Sequence, residues 1–118
     1  MKKINLSMIF LLALFSSASW ATELSSENLV GKWEFVNWAE AASPKETHAV
    51  NVVMDFRPDG QVFTEMPKGM VIESYKIEGD TIVYQGKRGE QKWALVSFTP
   101  TESMVVDNSG TIMTFVRK

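Results

Sequence analysis

Hydrophobic and polar positions alternate over short distances from Lys32 onward. Blocks rich in β-branched and aromatic residues are separated by clusters of turn residues, and none of the blocks shows a convincing 3.6-residue repeat. Such blocks are typical of β-strands. They predict eight strands, at residues 32–38, 49–57, 61–66, 70–77, 81–85, 91–98, 103–107 and 111–117. The predicted fold class is therefore all-β.

The segments between these strands carry turn residues that determine how neighbouring strands pair. They include Pro58-Asp59-Gly60, Gly79-Asp80 and Asn108-Ser109-Gly110. In the first, a type I turn followed by a left-handed Gly60 would close a hairpin in which Phe56 faces Val62. The second suits a two-residue hairpin that sets Tyr75 across from Tyr84. Short links of this kind predict a meander of antiparallel strands.

Eight antiparallel strands in sequence order could form a sandwich or an up-and-down barrel, and the barrel is favoured because closure removes exposed sheet edges. Strand alternation then defines an inner face. It consists of Trp33, Phe35, Val50, Val52, Met54, Phe56, Tyr75, Ile77, Ile82, Tyr84, Trp93, Leu95, Met113 and Phe115. The same alternation places Trp38 outside. In the third strand Val62 or Phe63 could face inward, and in the seventh Val105 or Val106.

The two ends of the barrel should differ. Ser25 or Ser26 can cap a short N-terminal helical turn over residues 27–30, which would close one end. The longest break between strands, residues 40–47, is the expected lid over an open end. The turn at residues 67–69 should lie at that same end, because it comes two hairpins later.

Residues 1–21 have the pattern of a secretory signal peptide. Two lysines precede an apolar run over residues 8–15, and small residues follow up to Ala21. This order predicts cleavage after Ala21, a mature domain over residues 22–118, and a periplasmic or secreted location. A membrane anchor fits less well, because a spanning helix needs about 20 apolar residues.

Composition narrows the functions that the chain can have. There is no cysteine, and therefore no disulfide and no lipid-attachment site. The 12 basic and 14 acidic residues give a net charge of −2 at pH 7, and loss of the two N-terminal lysines would make the chain more acidic. A mildly acidic chain without a basic face argues against nucleic acid and anionic membrane surfaces as partners. After signal cleavage we expect no integral membrane segment.

Four short motifs together resemble those of bacterial lipocalin-like domains. They are Leu29-x-Gly31-x-Trp33, Phe56-x-Pro58-Asp59-Gly60, Tyr75-x-Ile77-x-Gly79-Asp80 and the terminal Phe115-Val116-Arg117. The resemblance implies a short calycin-type barrel whose closed end is built from Gly31, Trp33 and Arg117, with the arginine packed on the indole ring. Such a cation–aromatic contact contributes about 0.5–2 kcal/mol. The middle Thr-Asp-Tyr motif of lipocalins has no match in this chain, so the resemblance implies a fold and leaves the ligand open.

The residue pattern does not predict catalysis or metal binding. His48 is the only histidine and there is no cysteine, whereas zinc sites take three or four protein ligands, so His48 is expected to be a surface residue. No base and orienting group accompany a nucleophile, and no polar group that could perform catalysis is expected on the inward face. Carboxylates such as Asp55 and Glu65 should lie on the outer face of neighbouring strands. We therefore expect no enzyme activity and no cofactor.

The candidate binding site lies in the barrel interior. An eight-stranded barrel is just wide enough to be filled by its own side chains or to hold one small ligand, and the sequence leaves both outcomes open. An open interior would bind a small apolar ligand. Its contact residues would be Met54, Phe56, Tyr75, Tyr84 and Trp93. The alternative is a periplasmic protein-binding inhibitor or immunity protein that uses the barrel as a scaffold, with contacts from Trp38 and the Lys87-Arg88 loop.

Overall fold

The computed structural model describes residues 23–118, and the predicted signal peptide lies outside the described residues. In the described part, helix α1 (Ser26–Leu29) precedes eight strands. These are β1 (Gly31–Glu40), β2 (His48–Phe56), β3 (Gln61–Met66), β4 (Gly69–Glu78), β5 (Thr81–Gly86), β6 (Gly89–Thr99), β7 (Ser103–Asn108) and β8 (Thr111–Arg117). The all-β prediction is confirmed. Among these residues no helix has the length and apolar character that crossing a membrane requires.

All eight strands pair antiparallel in sequence order, and β8 pairs with β1, so the sheet closes on itself. The prediction of an up-and-down barrel is confirmed, and the sandwich is excluded. The hairpin registers also agree with the turn chemistry, since Phe56 pairs with Val62 and Tyr75 with Tyr84. Gly60 has the expected positive φ, 88°.

Two β-bulges change which side chains face inward. The pairing slips at Val36 in β1 and at Val96 in β6. Because a one-residue slip moves the following side chains to the other face, Trp38 lies opposite Met113 and packs against the core. The prediction that Trp38 faces outward is therefore wrong. The second bulge turns Phe98 into the core in the same way.

The packed core lies in the half of the barrel next to α1. Its fully buried large side chains are Leu29, Trp33, Phe56, Val62, Ile82, Phe98, Met104, Val106 and Phe115. This burial shows which residues face inward in β3 and β7, which the sequence left open. Val62 and Val106 face inward, whereas Phe63 and Val105 are only partly buried.

Helix α1 lies across this end of the barrel, and its predicted N-cap is confirmed. The backbone N–H of Asn28 donates a hydrogen bond to Ser25 Oγ at 3.2 Å. Leu29 is fully buried, and its carbonyl accepts a hydrogen bond from Trp33 Nε1 at 2.8 Å. The helix is therefore joined both to the core and to the first strand.

Arg117 completes the closed end. Its Cζ atom lies 4.2 Å from the centre of the Trp33 ring, and its three guanidinium nitrogens donate hydrogen bonds to backbone carbonyls. The acceptors are the carbonyl oxygens of Asn28, Val30 and Pro100. A Cβ atom at Gly31 would lie 2.7 Å from Arg117 Nη1. Glycine at this position leaves the space that the guanidinium occupies, and the three residues of the implied closed end meet here.

Candidate functional site

The barrel contains a cavity at the end opposite α1. Its volume is about 620 Å³. The apolar and aromatic part of its lining consists of Phe35, Val50, Val52, Met54, Met66, Val71, Tyr84, Trp93 and Met113. The polar lining side chains are Thr64, Glu73, Lys87, Arg88, Gln91 and Asn108. The hairpins β1–β2, β3–β4, β5–β6 and β7–β8 surround its mouth, so the predicted lid loop and the turn at residues 67–69 do lie at one end.

The five residues proposed from the sequence as ligand contacts divide between the cavity and the core. Met54, Tyr84 and Trp93 line the cavity. Phe56 and Tyr75 lie deeper, with their rings edge to face at 5.2 Å. Both are buried in the core cluster, and the Tyr75 hydroxyl donates to the carbonyl of Arg57 at 2.7 Å. The structure therefore brings three of the five residues together at the cavity.

An aromatic stack, formed by Tyr84, Trp93, Phe115 and Phe35, supports the cavity wall. The rings of Tyr84 and Trp93 are nearly parallel, with centroids 4.6 Å apart. Trp93 lies 5.7 Å from Phe115, which in turn stacks on Phe35 at 4.9 Å. Stacked rings of this kind stabilise one another beyond their buried area, so this part of the wall is preformed.

Glu73, Tyr84 and Thr64 form a polar centre on the cavity wall. The Tyr84 hydroxyl donates to Glu73 Oε1, and the backbone N–H of Lys87 donates to Glu73 Oε2 at 3.1 Å. Thr64 is 7% exposed, and its Oγ1 atom is buried with no hydrogen-bond partner among residues 23–118. The sequence predicted no polar group that could perform catalysis on the inward face, and the structure places the Glu73 carboxylate there. Sequence analysis missed Glu73 although it precedes the inward Tyr75 by two residues.

The polar centre changes the acidity of Tyr84. Burial raises the pKa of this side chain above its ordinary value, and the hydrogen bond to Glu73 and the negative charge of Glu73 raise it further. The Thr64 hydroxyl opposes this pKa shift, although it does not reach hydrogen-bonding geometry. At neutral pH Tyr84 is therefore a protonated donor that holds the Glu73 carboxylate in place.

A second polar cluster and two cations lie elsewhere on the lining. Gln91 Oε1 accepts hydrogen bonds from Trp93 Nε1 at 2.9 Å and from Asn108 Nδ2 at 3.1 Å.

Lys87 and Arg88 are exposed at the mouth, and neither forms a salt bridge with an acidic residue in the described part of the chain. The sequence suggested these two cations only as contacts for a protein partner, whereas the structure also places them beside the cavity.

His48 is an exposed residue at the start of β2. Its ring stacks on that of Trp38, with centroids 4.2 Å apart. Within residues 23–118, no three or more side chains of His, Cys, Asp or Glu are grouped so that they could hold a metal ion. The role that the structure shows for His48 is to cover the indole ring.

Comparison with solved structures identifies a protein of the same architecture. The crystal structure of a lipocalin-like protein from Bacteroides uniformis superimposes with a TM-score of 0.62. The match covers 77% of this chain and 99% of that chain, at 17% sequence identity. This chain has a lipocalin-like fold. No protein-family model and no curated protein sequence matches it.

The lipocalin-like barrel thus combines a packed, closed half with a hollow half. The hollow half offers apolar and aromatic surface together with hydrogen-bonding groups on one wall. Sites that bind small molecules combine mainly apolar walls with a few placed polar groups. The arrangement suits non-covalent binding of one small molecule.

Proposed function

We propose that the protein is an exported binding module that takes one small, largely apolar ligand into the open half of its barrel. The observation that carries this proposal is the cavity of about 620 Å³ with its apolar and aromatic lining. Ligand pockets typically measure about 300–1,000 Å³. A lipocalin-like fold supports a binding role rather than an enzymatic one.

The ligand would be held mainly by burial of apolar surface. Met54, Trp93 and Tyr84 supply contacts from three strands, and the aromatic stack keeps two of them in place. Removing apolar surface from water contributes about 25 cal/mol per Å². Because these rings are already ordered by their mutual contacts, little side-chain ordering opposes binding.

Uptake of Nile red, a neutral apolar dye, tests this function. Titration of the protein should give saturable fluorescence enhancement with one dye per chain. Met54→Trp should abolish uptake, because the added indole would occupy the cavity. Val96→Trp is the matched control, since Val96 is 59% exposed at the bulge in β6, and it should bind as the parent does. A folded parent that shows no saturable uptake would contradict the proposal.

A protein partner is the second candidate, and exposed apolar side chains of the β3–β4 hairpin favour it. Met70 and Ile72 are 54% and 56% exposed, and Met66, which also lines the cavity, is 44% exposed. Large apolar side chains on a surface are a common feature of contact sites. Trp38, which the sequence suggested for this role, packs against the core. If the folded protein takes up no apolar dye, binding of a protein partner becomes the favoured function.

The export part of the proposal rests on the signal pattern of residues 1–21. We expect the protein purified from the periplasm or the medium to begin at Thr22, because the signal peptidase removes the segment that ends in Ala21. Mass spectrometry of the intact protein measures this directly. A secreted or cell-associated product that retains Met1 would contradict cleavage.

A further inference from the structure

We propose that the ligand carries a hydroxyl group, which binds between Thr64 and Glu73 at the polar centre of the cavity. The inference rests on the proposed function and names the chemical class of ligand, an otherwise apolar alcohol or phenol. It is carried by two groups on the same wall that keep hydrogen-bonding capacity unused by the protein.

The first group is the Thr64 hydroxyl. Its oxygen is buried and has no partner in the described part of the chain, and its cross-strand neighbours are the apolar residues Met54 and Val71. A buried hydroxyl without a partner is unfavourable, and most buried polar groups have one. Valine has nearly the same shape and would fill this position without that penalty. An apolar residue would therefore pack here as well as Thr64 does, and packing does not explain the hydroxyl.

The second group is the Glu73 carboxylate. It accepts one hydrogen bond on each oxygen, from Tyr84 and from the backbone of Lys87. A carboxylate has about four acceptor positions, so acceptor capacity remains. Glu73 and Thr64 occupy diagonal inward positions on β4 and β3, because Thr64 pairs with Val71. Diagonal neighbours of this kind lie within reach of a common group.

The chemistry of these two groups selects a hydroxyl. An ionised carboxylate only accepts hydrogen bonds, whereas a threonine hydroxyl both donates and accepts. One ligand hydroxyl can donate to Glu73 and accept from Thr64 at the same time. A ketone or ether could not donate to Glu73, and an anionic ligand group would be repelled by it. An ammonium group would match Glu73 but would also meet the positive charges of Lys87 and Arg88 on the same lining.

Three probes that share one apolar body test the inference. They are a naphthol, the methylnaphthalene with the methyl group at the same ring position, and the corresponding aminomethyl compound. Isothermal titration of the protein should show the naphthol binding at least about tenfold more tightly than methylnaphthalene, as expected for a hydrogen bond to a charged group. The ammonium probe should bind more weakly than the naphthol.

Variants connect this preference to the two residues. Thr64→Val and Glu73→Gln should each lower the naphthol preference by at least about threefold, while the affinity for methylnaphthalene stays within about twofold of the parent's. Thr114→Val and Glu65→Gln are matched controls on the outer faces of β8 and β3, and they should leave the preference unchanged. Melting temperatures verify that each variant is folded, and if Glu73→Gln does not fold, Thr64→Val decides alone.

The possible outcomes separate this inference from the proposed function. If methylnaphthalene binds as tightly as the naphthol, or if Thr64→Val keeps the full preference, the hydroxyl site is overturned while the cavity remains a binding site. Tighter binding of the ammonium probe also overturns it. If none of the three probes binds to the folded parent, the proposed function fails and the inference fails with it.

Discussion

Tyr75 and Tyr84, the two tyrosines of the chain, show how single side chains respond to this interior. Tyr75 donates its hydroxyl hydrogen to the carbonyl of Arg57, and Tyr84 donates to Glu73. Burial raises the pKa of both side chains above the ordinary value of 10.0, helped by nearby carboxylates. Ionising either residue in the folded protein would place a phenolate in an apolar and already negative setting.

An alkaline titration tests these shifts. In the native protein we expect less than half of the tyrosine to be ionised at pH 10.0, where half of an ordinary tyrosine population is ionised. Both tyrosines have a higher pKa in the folded protein than in the unfolded chain. Their contribution to the free energy of unfolding is therefore fully present below the unfolded-state pKa and is lost as the pH rises through the folded-state pKa values. The free energy of unfolding should therefore fall above about pH 10.

Tyrosinate absorbance follows the ionisation, and chemical denaturation at several pH values follows the free energy. Tyr75→Phe leaves Tyr84 as the single tyrosine and should move ionisation to higher pH. Burial and the charge of Asp59 raise the pKa of Tyr75, whereas burial, the hydrogen bond to Glu73 and the charge of Glu73 all raise that of Tyr84. A native protein that shows half of its tyrosinate signal at pH 10.0 would contradict the burial of both hydroxyls.

The short helix α1 is joined to the barrel by Arg117. It makes three hydrogen bonds to backbone carbonyls and lies over the Trp33 ring. Lysine keeps the charge but lacks the planar fork that makes these bonds together. Arg117→Lys should therefore lower the free energy of unfolding by about 1–3 kcal/mol, since partly buried carbonyl acceptors lose their donors.

Arg57 provides the matched control for this substitution. Its Cζ atom lies 4.1 Å from the centre of the Phe63 ring, and it pairs with Asp55 at 2.8 Å. Its side chain is 45% exposed, and exposed pairs contribute about 0–1 kcal/mol. Urea denaturation of Arg57→Lys should therefore show a much smaller loss than Arg117→Lys. Equal losses would mean that the closed end does not depend on the guanidinium.

Turns and bulges differ in how far the sequence predicts them. The hairpin registers follow from a few turn residues whose backbone preferences are local, such as Gly60 with its positive φ. A bulge depends on how two neighbouring strands curve, and strict alternation does not show it. Both bulged strands nevertheless share one pattern, in which successive inward side chains are two and then three positions apart. The sets are Trp33, Phe35 and Trp38 in β1, and Trp93, Leu95 and Phe98 in β6.

The sequence predicted a closed barrel but not that one half of it is hollow. Whether eight strands enclose space depends on the side-chain volumes at each level, which alternation alone does not give. The closed half holds Trp33, Phe56 and Phe98, whereas Val52 and Val71 line the open half. Glu73 was missed for a related reason, because a charged side chain is usually solvent-exposed.

The melting temperature of Met54→Trp is the sharpest test for an open cavity in the barrel. Met54 lines the cavity and lies opposite Trp33 and Thr64 on the neighbouring strands. If the indole can extend into the cavity, thermal unfolding should occur within about 3 °C of the parent, a change below 1 kcal/mol for a domain of this size. If the interior were already filled, overpacking would destabilise the fold by about 1–3 kcal/mol and lower the melting temperature by roughly 4–24 °C. A drop of more than about 4 °C would show that the interior is filled and would contradict an open cavity.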